Sequence, residues 1–292
     1  MSNASPSPLC FGCEALGGTD WGDVDIAAIE RAIEEAMDIG VNFFDTATVY
    51  GLTSSEERLA RALRHRRHDA VIATKGGLSW QADDSGRAKV WKDSSPDAIV
   101  NGVHESLKRM QLDVIPVYYI HWPDPNTPFE ATFSTLQNLK EQGKIAAIGC
   151  SNFSIDQLRE AANYADVDYV QGPLNLFKEN RNREMLRHCE EHSMAFVAYG
   201  ALASGLLTGK YHGGSTFGKN DRRSRLESFS GDGLSSKLAE MERYQAAAAE
   251  QNLSLVEYAL RWVLDQPSVL SVITGIKSCE QLRQNWQAIA GG

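Results

Sequence analysis

Eight times along the chain, a short β-branched or aromatic run is followed by a longer segment with helical periodicity. The apolar runs are LCFGCEAL (9–16), VNFFDTA (41–47), AVIATK (70–75), VYYIHW (117–122), IAAIGCS (145–151), DYVQG (168–172), AFVAY (195–199) and VLSVITG (269–275). Between them lie amphipathic segments, the clearest being DIAAIERAIEEAMDIG, with Ile26, Ile29, Ile33 and Met37 on one face and Gly40 as its stop. A second opens on Pro96, and a third on a capping Ser154 with Gln157 three residues on. Strand–helix alternation of this kind predicts an α/β protein, a closed (β/α)8 TIM barrel forming a single domain over 1–292. A doubly wound open sheet is the alternative. It usually carries GxGxxG after its first strand, and here that strand leads into LGGTDWG, which lacks the spacing.

Bulk properties narrow the partners. With 42% hydrophobic and 23% charged residues, the 292-residue chain has the balance of a soluble globular protein. A net charge of -9 argues against nucleic-acid and anionic-membrane binding, because both partners are polyanions. The start MSNASPSP lacks the pattern of a signal peptide, and no apolar run reaches transmembrane length. The five cysteines are scattered and odd in number, so no disulfide framework is expected. Cys10 and Cys13 form a CxxC without a second pair, read as small core residues, and no metal is expected. A reduced, cytoplasmic setting fits these features.

Two connections are long, 76–95 and about 200–233, and both follow strands. In a barrel they lie on the C-terminal face, where barrel active sites sit. The strands end there on polar residues: Asp45, Lys75, His121, Ser151 with Asn152, Gln171 and Tyr199. Singly, an aspartate at a strand end reads as a cap, a lysine as solvated and a histidine as a satisfied buried residue. On consecutive strands of one barrel they read together as a site. Asp45 and Lys75, on adjacent strands, can compensate one another where an isolated charge would cost several kcal/mol. Lys75 beside Tyr50 is expected to lower the phenol's pKa, and Asp45 to hold Lys75. His121 can hydrogen-bond a substrate oxygen. Such a set can protonate a carbonyl oxygen as it gains charge. No side chain supplies a hydride, so a nicotinamide cofactor is implied.

The stretches FDTATVYG, IATKGG, YIHWPD, IGCSNF and AYGALASGLLTGKY resemble the signature segments of the aldo-keto reductase family, in order and over about residues 9–289. The chain looks nearer the bacterial branch and the potassium-channel β-subunits than aldose reductase. The resemblance implies Asp45, Tyr50, Lys75 and His121 as catalytic tetrad, with Tyr50 the proton donor. It implies that Ser151, Asn152 and Gln171 hold the nicotinamide carboxamide and that Tyr199 stacks on the ring. Gly18, Thr19 and Trp21 after the first strand, with Gly200, Ala201, Leu202, Ser204, Gly205, Leu206, Lys210 and Arg222 in the segment that folds over the pyrophosphate, complete the expected cofactor contacts. In TGIKSCEQLRQN (274–285), Gly275, Lys277, Gln281 and Asn285 match positions around the adenosine 2'-phosphate and adenine, and Ser278 with Gln281 reads as a capping box. This favours NADP(H). Lysine in place of the commoner arginine loses the bidentate fork, so NAD(H) is the alternative.

Trp21, Trp80, Trp122 and Phe177 follow strands and can line a pocket over Tyr50 or pack between loops. No basic cluster awaits a substrate carboxylate, so a neutral aldehyde, ketone or sugar-like carbonyl is the expected small-molecule partner. The sequence does not decide between monomer and homo-oligomer. Three departures from the family pattern stand out: Gly200-Ala201 where Ser-Pro is frequent, Thr274 where proline is frequent, and the charge of Glu14 inside the first strand. The competing readings are a regulatory protein that keeps its cofactor site, as channel β-subunits do, and an unrelated barrel lyase using Lys75 as a Schiff base. The second leaves Tyr50 and the amide set without a role.

Overall fold

The computed structural model describes residues 5–82, 88–180 and 182–290. The first four residues of MSNASPSP, the tip of the 76–95 connection and the last two residues of the expected domain lie outside them. Among the described residues ten strands form: β1 Leu9–Gly12, β2 Phe43–Asp45, β3 Val71–Gly76, β4 Leu78–Ala82, β5 Ala88–Lys92, β6 Ile115–Ile120, β7 Ile145–Ser151, β8 Val167–Pro173, β9 Ala195–Tyr199 and β10 Val269–Gly275. The helices are α1 Ile26–Asp38, α2 Ser54–Leu63, α3 Pro96–Met110, α4 Phe129–Glu141, α5 Ile155–Ala161, α6 Arg183–Glu191, α7 Gly231–Glu250, α8 Leu255–Leu264 and α9 Cys279–Ala290. Eight strands close a parallel barrel in the order β1-β10-β9-β8-β7-β6-β3-β2. The expected fold is the one observed.

Side-chain alternation divides the core into two shells. Cys10, Phe43, Val71, Ala73, Val117, Tyr119 and Val197 fill the barrel interior. Phe11, Phe44, Ile72, Tyr118 and Ile120, one residue out of phase, pack against the apolar faces of the helices. Cys10 belongs to the inner shell and Cys13 to the outer, and both are buried free thiols. The capping signals work locally: Asp25 accepts from Ala28 N at the start of α1, and Ser154 with Gln157 forms a full capping box on α5.

Some boundaries differ from the sequence expectation. The first strand stops at Gly12, and Glu14 opens a tight turn over Ala15–Gly17. Glu14 is therefore outside the strand, because Gly12 pairs with Asp45 at the mouth and the chain turns there. The connection read as 76–95 contains an antiparallel hairpin, β4–β5, and the one after β9 carries short turns before α7. No described helix is long and apolar enough to cross a membrane.

Candidate active site

β2 ends on Asp45 and β3 carries Lys75 beside it, both buried, at 4% and 1% exposure. Two charges in so dry a place are tolerable only with their bonding satisfied. The ammonium's three N–H groups have three acceptors: Asp45 Oδ1 at 2.6 Å, the Thr46 carbonyl at 2.9 Å and the Tyr50 hydroxyl at 3.5 Å. Its Nζ also lies 5.1 Å from the Tyr50 ring centroid.

Tyr50 reaches that position from the turn after β2. Its amide donates to the Ala47 carbonyl, and the turn closes through Thr53 N to Thr48 O at 2.7 Å. Gly51 follows at φ 58°, and a Cβ there would stand 2.1 Å from the Gly17 carbonyl oxygen. The turn after β1 and the turn carrying Tyr50 thus press backbone to backbone, which only glycine permits. His121, just past β6, donates its amide to Gly76 O at 2.9 Å. Its ring meets the Tyr50 ring edge-on, with centroids 5.8 Å apart.

A chain of hydrogen bonds joins the other strand ends to this group. The Tyr199 hydroxyl donates to Asn152 Oδ1 at 2.7 Å. Asn152 Nδ2 donates to the His121 carbonyl at 3.0 Å and to Ser151 Oγ at 3.1 Å. Ser151 Oγ faces Gln171 Oε1 at 3.4 Å, and Gln171 Nε2 donates to Asp45 Oδ2 at 2.7 Å. Five strand ends thereby fix one another's rotamers. The contact of Gln171 with Asp45 adds a supporting role that sequence reasoning did not anticipate.

One expectation is corrected. Rather than being lowered by Lys75, the Tyr50 phenol is held well above its ordinary pKa of 10. Burial is the largest cause, followed by the negative charges of Asp45 and Glu14, with Arg222 opposing. Lys75 bonds Asp45 at 2.6 Å and the phenol only at 3.5 Å, so its charge does not offset the burial of the phenol. His121 is driven well below 6.5, first by burial and then by the Lys75 charge, so its imidazole is neutral near pH 7. Its Nδ1 is a buried atom without a hydrogen-bond partner.

At the other end of the mouth, Lys277 Nζ donates to the Trp21 carbonyl at 2.8 Å, and its charge lies 5.7 Å from the indole. Arg222 and Arg223 sit over the same ring, at 5.4 and 5.7 Å. Burial, then the charges of Arg223 and, after an opposing Asp221, Lys210 hold the Lys277 pKa down. Lys210, Arg223 and Lys277 therefore share one neighbourhood, with Asp221 bonded to Arg223 among them. Segments 20–22 and 220–222 are laced together by Gly22 N to Asn220 O and Arg222 N to Asp20 O. Gln281 caps α9 by accepting from Lys277 N at 2.9 Å and donating its amide to Ser278 Oγ, so the capping box is only half formed. Asn285 is buried on Thr274 Oγ1 at 3.2 Å. Gly275 faces open space.

The remaining positions divide. Gly18, Thr19 and Trp21 occupy the turn and loop after β1, and Ala201, Leu202, Ser204, Gly205 and Leu206 the turn after β9. Gly200 has φ 68°, which explains glycine in place of serine. Trp80 lies in the β4–β5 hairpin opposite Val90. Trp122 is 42% exposed with Lys92 5.7 Å over its ring. Phe177 packs on Tyr244 and Lys237 and joins the cluster of Leu206, Phe229 and Leu234. Sequence reasoning missed Glu56, fully buried on α2, which accepts from Thr74 Oγ1 at 2.6 Å and Ser106 Oγ at 2.9 Å and is paired with Arg109. Its polar helix gave no signal of burial. On α6, His188, Glu191 and His192 bring ligand-type atoms within 4.8 Å, at the end of the barrel opposite Asp45. The two imidazole rings there lie 4.0 Å apart, tilted by 36°, and His192 Nδ1 stands 2.9 Å from the His188 carbonyl.

Comparison with known proteins supplies a matching family model, the Aldo/keto reductase family, over residues 8–290. The chain is 34% identical over 279 residues to aldo-keto reductase YhdN of Bacillus subtilis, covering 94% of this chain and 83% of that protein. It is 31% identical over 283 residues to the NADH-specific methylglyoxal reductase of Escherichia coli, covering 94% and 86%. In structure it is similar to the glycerol dehydrogenase AKR11B4 from Gluconobacter oxydans. The TM-score is 0.88 at 38% identity, over 96% of this chain and 85% of that one.

Proposed function

The chain belongs to the aldo/keto reductase family, and from that premise we propose that it is an NADPH-dependent reductase of neutral aldehydes or ketones. The observation that carries this reading is the convergence of Tyr50, Lys75, Asp45 and His121 at one barrel mouth, joined by hydrogen bonds through Lys75 and by the edge-on contact of the Tyr50 and His121 rings. A nicotinamide cofactor supplies the hydride when bound. Tyr50 holds the proton that the carbonyl oxygen takes up. Neutral His121 offers that oxygen a second hydrogen bond, and Lys75 stabilises negative charge developing between them. Asp45, clamped by Lys75 and Gln171, fixes the ammonium.

The residues present fit such a cofactor. Amide and hydroxyl groups of Ser151, Asn152 and Gln171 stand at the mouth beside Tyr199. The cations Lys210, Arg223 and Lys277 gather at the rim, beside the open face of Gly275, and suit a phosphate. That supports NADP(H) over NAD(H). It also weighs against a Schiff-base role for Lys75, whose nitrogen is tied to three acceptors and is no free nucleophile. Fluorescence titration with NADPH and NADH tests the preference. NADPH should bind more tightly, and Lys277→Ala should weaken NADPH about tenfold while sparing NADH, the loss expected of one charge-assisted contact. A clear preference of the wild type for NADH would overturn the phosphate assignment.

A further inference from the structure

Glu14 is a carboxylate at the chamber mouth that the proton-transfer group does not use. The turn it opens leans on Tyr50 itself: a Cβ on Gly17 would stand 2.7 Å from Gly51 N and 2.8 Å from the Tyr50 carbonyl carbon. Cys13, just before it, donates its amide to the Asp45 carbonyl at 2.8 Å. The side chain is neither buried nor free, with 34% of its area exposed. Its fully formed hydrogen bond is from Arg222 Nη1 to Oε1 at 2.8 Å. The Trp21 indole N–H turns towards the carboxylate without reaching good hydrogen-bond geometry. Acceptor capacity therefore remains on Glu14, at the start of the turn that packs against Tyr50 and Gly51. Its charge is felt there, since it is one of the groups that raise the Tyr50 phenol.

We propose that Glu14 is a specificity-determining residue. Its carboxylate accepts a hydrogen bond from a hydroxyl of a neutral, hydroxylated aldehyde or ketone, and it sets the site against anionic carbonyl compounds. Arg222 balances it. The guanidinium, 41% exposed and over the Trp21 ring, bonds one carboxylate oxygen and opposes the rise that burial imposes on the carboxyl's pKa. Removing either partner leaves the other unpaired at the mouth, so the two substitutions push substrate charge preference in opposite directions. A latch that merely held segments 20–22 and 220–222 together would respond alike to both.

The inference rests on the reductase reading, and the test separates the two. kcat/KM is measured with saturating NADPH for glyceraldehyde (neutral, hydroxylated), propionaldehyde (neutral, no hydroxyl) and glyoxylate (anionic). Ratios to propionaldehyde within each variant cancel changes in cofactor binding. Glu14→Gln should lower the glyceraldehyde ratio about three- to tenfold, the loss of one charge-assisted hydrogen bond, and raise the glyoxylate ratio by a similar factor. Arg222→Met should lower the glyoxylate ratio and keep that of glyceraldehyde. Ratios that stay put, or that shift the same way in both variants, overturn the role of Glu14. A wild type that reduces none of the three compounds overturns the reductase reading, and this inference with it.

Discussion

A buried phenol parts with its proton reluctantly, and more so beside carboxylates; burial is the largest influence on the Tyr50 hydroxyl, which has Asp45 and Glu14 for neighbours. A pKa raised above 10 means that the protonated form, the proton donor of carbonyl reduction, persists through neutral and mildly alkaline pH. The neutral imidazole of His121 likewise persists down to well below pH 6.5. The rate of carbonyl reduction should therefore be flat from about pH 6.5 to about pH 9, with its alkaline limb above the ordinary tyrosine range. A kcat profile recorded across that range checks this, and a decline centred between pH 7 and 8 would contradict it. The four tetrad residues were legible in the sequence because each closes a strand and their chemistry is complementary. The direction of the Tyr50 shift was not, since burial is its largest cause and the Asp45 charge the next, and spacing along the chain reveals neither.

Among the elements, α2 shows how a polar stretch can be structural. Ser54–Leu63 follows the Tyr50 turn and buries Glu56 against β3 and α3. Removing one partner of a buried charged network leaves the others unsatisfied. Glu56→Ala should destabilise the fold by about 3–5 kcal/mol, and chemical denaturation measures it. A change below about 1 kcal/mol, the range of surface ion pairs, would show that the network carries no weight. Helices such as α1, α3 and α5 were legible through their apolar stripe, Pro96 and Ser154. α2, α6 and α7 were less legible: SSEERLARAL and REMLRHCEE are short and mostly polar, and on α7 the apolar line Leu234, Leu238, Met241 and Tyr244 is set among small and charged residues. β4 and β5 were hidden for a related reason: β5 reads AKVWK and exposes most of its residues. Glu14 fell inside an apparent strand because LCFGCEAL is apolar on both sides of the turn.

At the scale of the molecule, the barrel gathers eight strand ends at one mouth, so residues as distant in sequence as Asp45 and Gln171 come within 2.7 Å. The strand–helix rhythm made that convergence legible. What it could not reveal is the lacing of the loop after β9 onto the loop after β1, which runs through backbone groups and through Arg222 on Glu14. Everything proposed for the molecule depends on this mouth transferring a hydride and a proton to a carbonyl carbon and oxygen, with Tyr50 as the acid. Loss of NADPH absorbance in the presence of glyceraldehyde, wild type against Tyr50→Phe, measures it most directly. Turnover by the wild type and a fall in kcat of about a hundredfold or more in Tyr50→Phe, the worth of a general acid, is the predicted result. Equal turnover by the two proteins would contradict it.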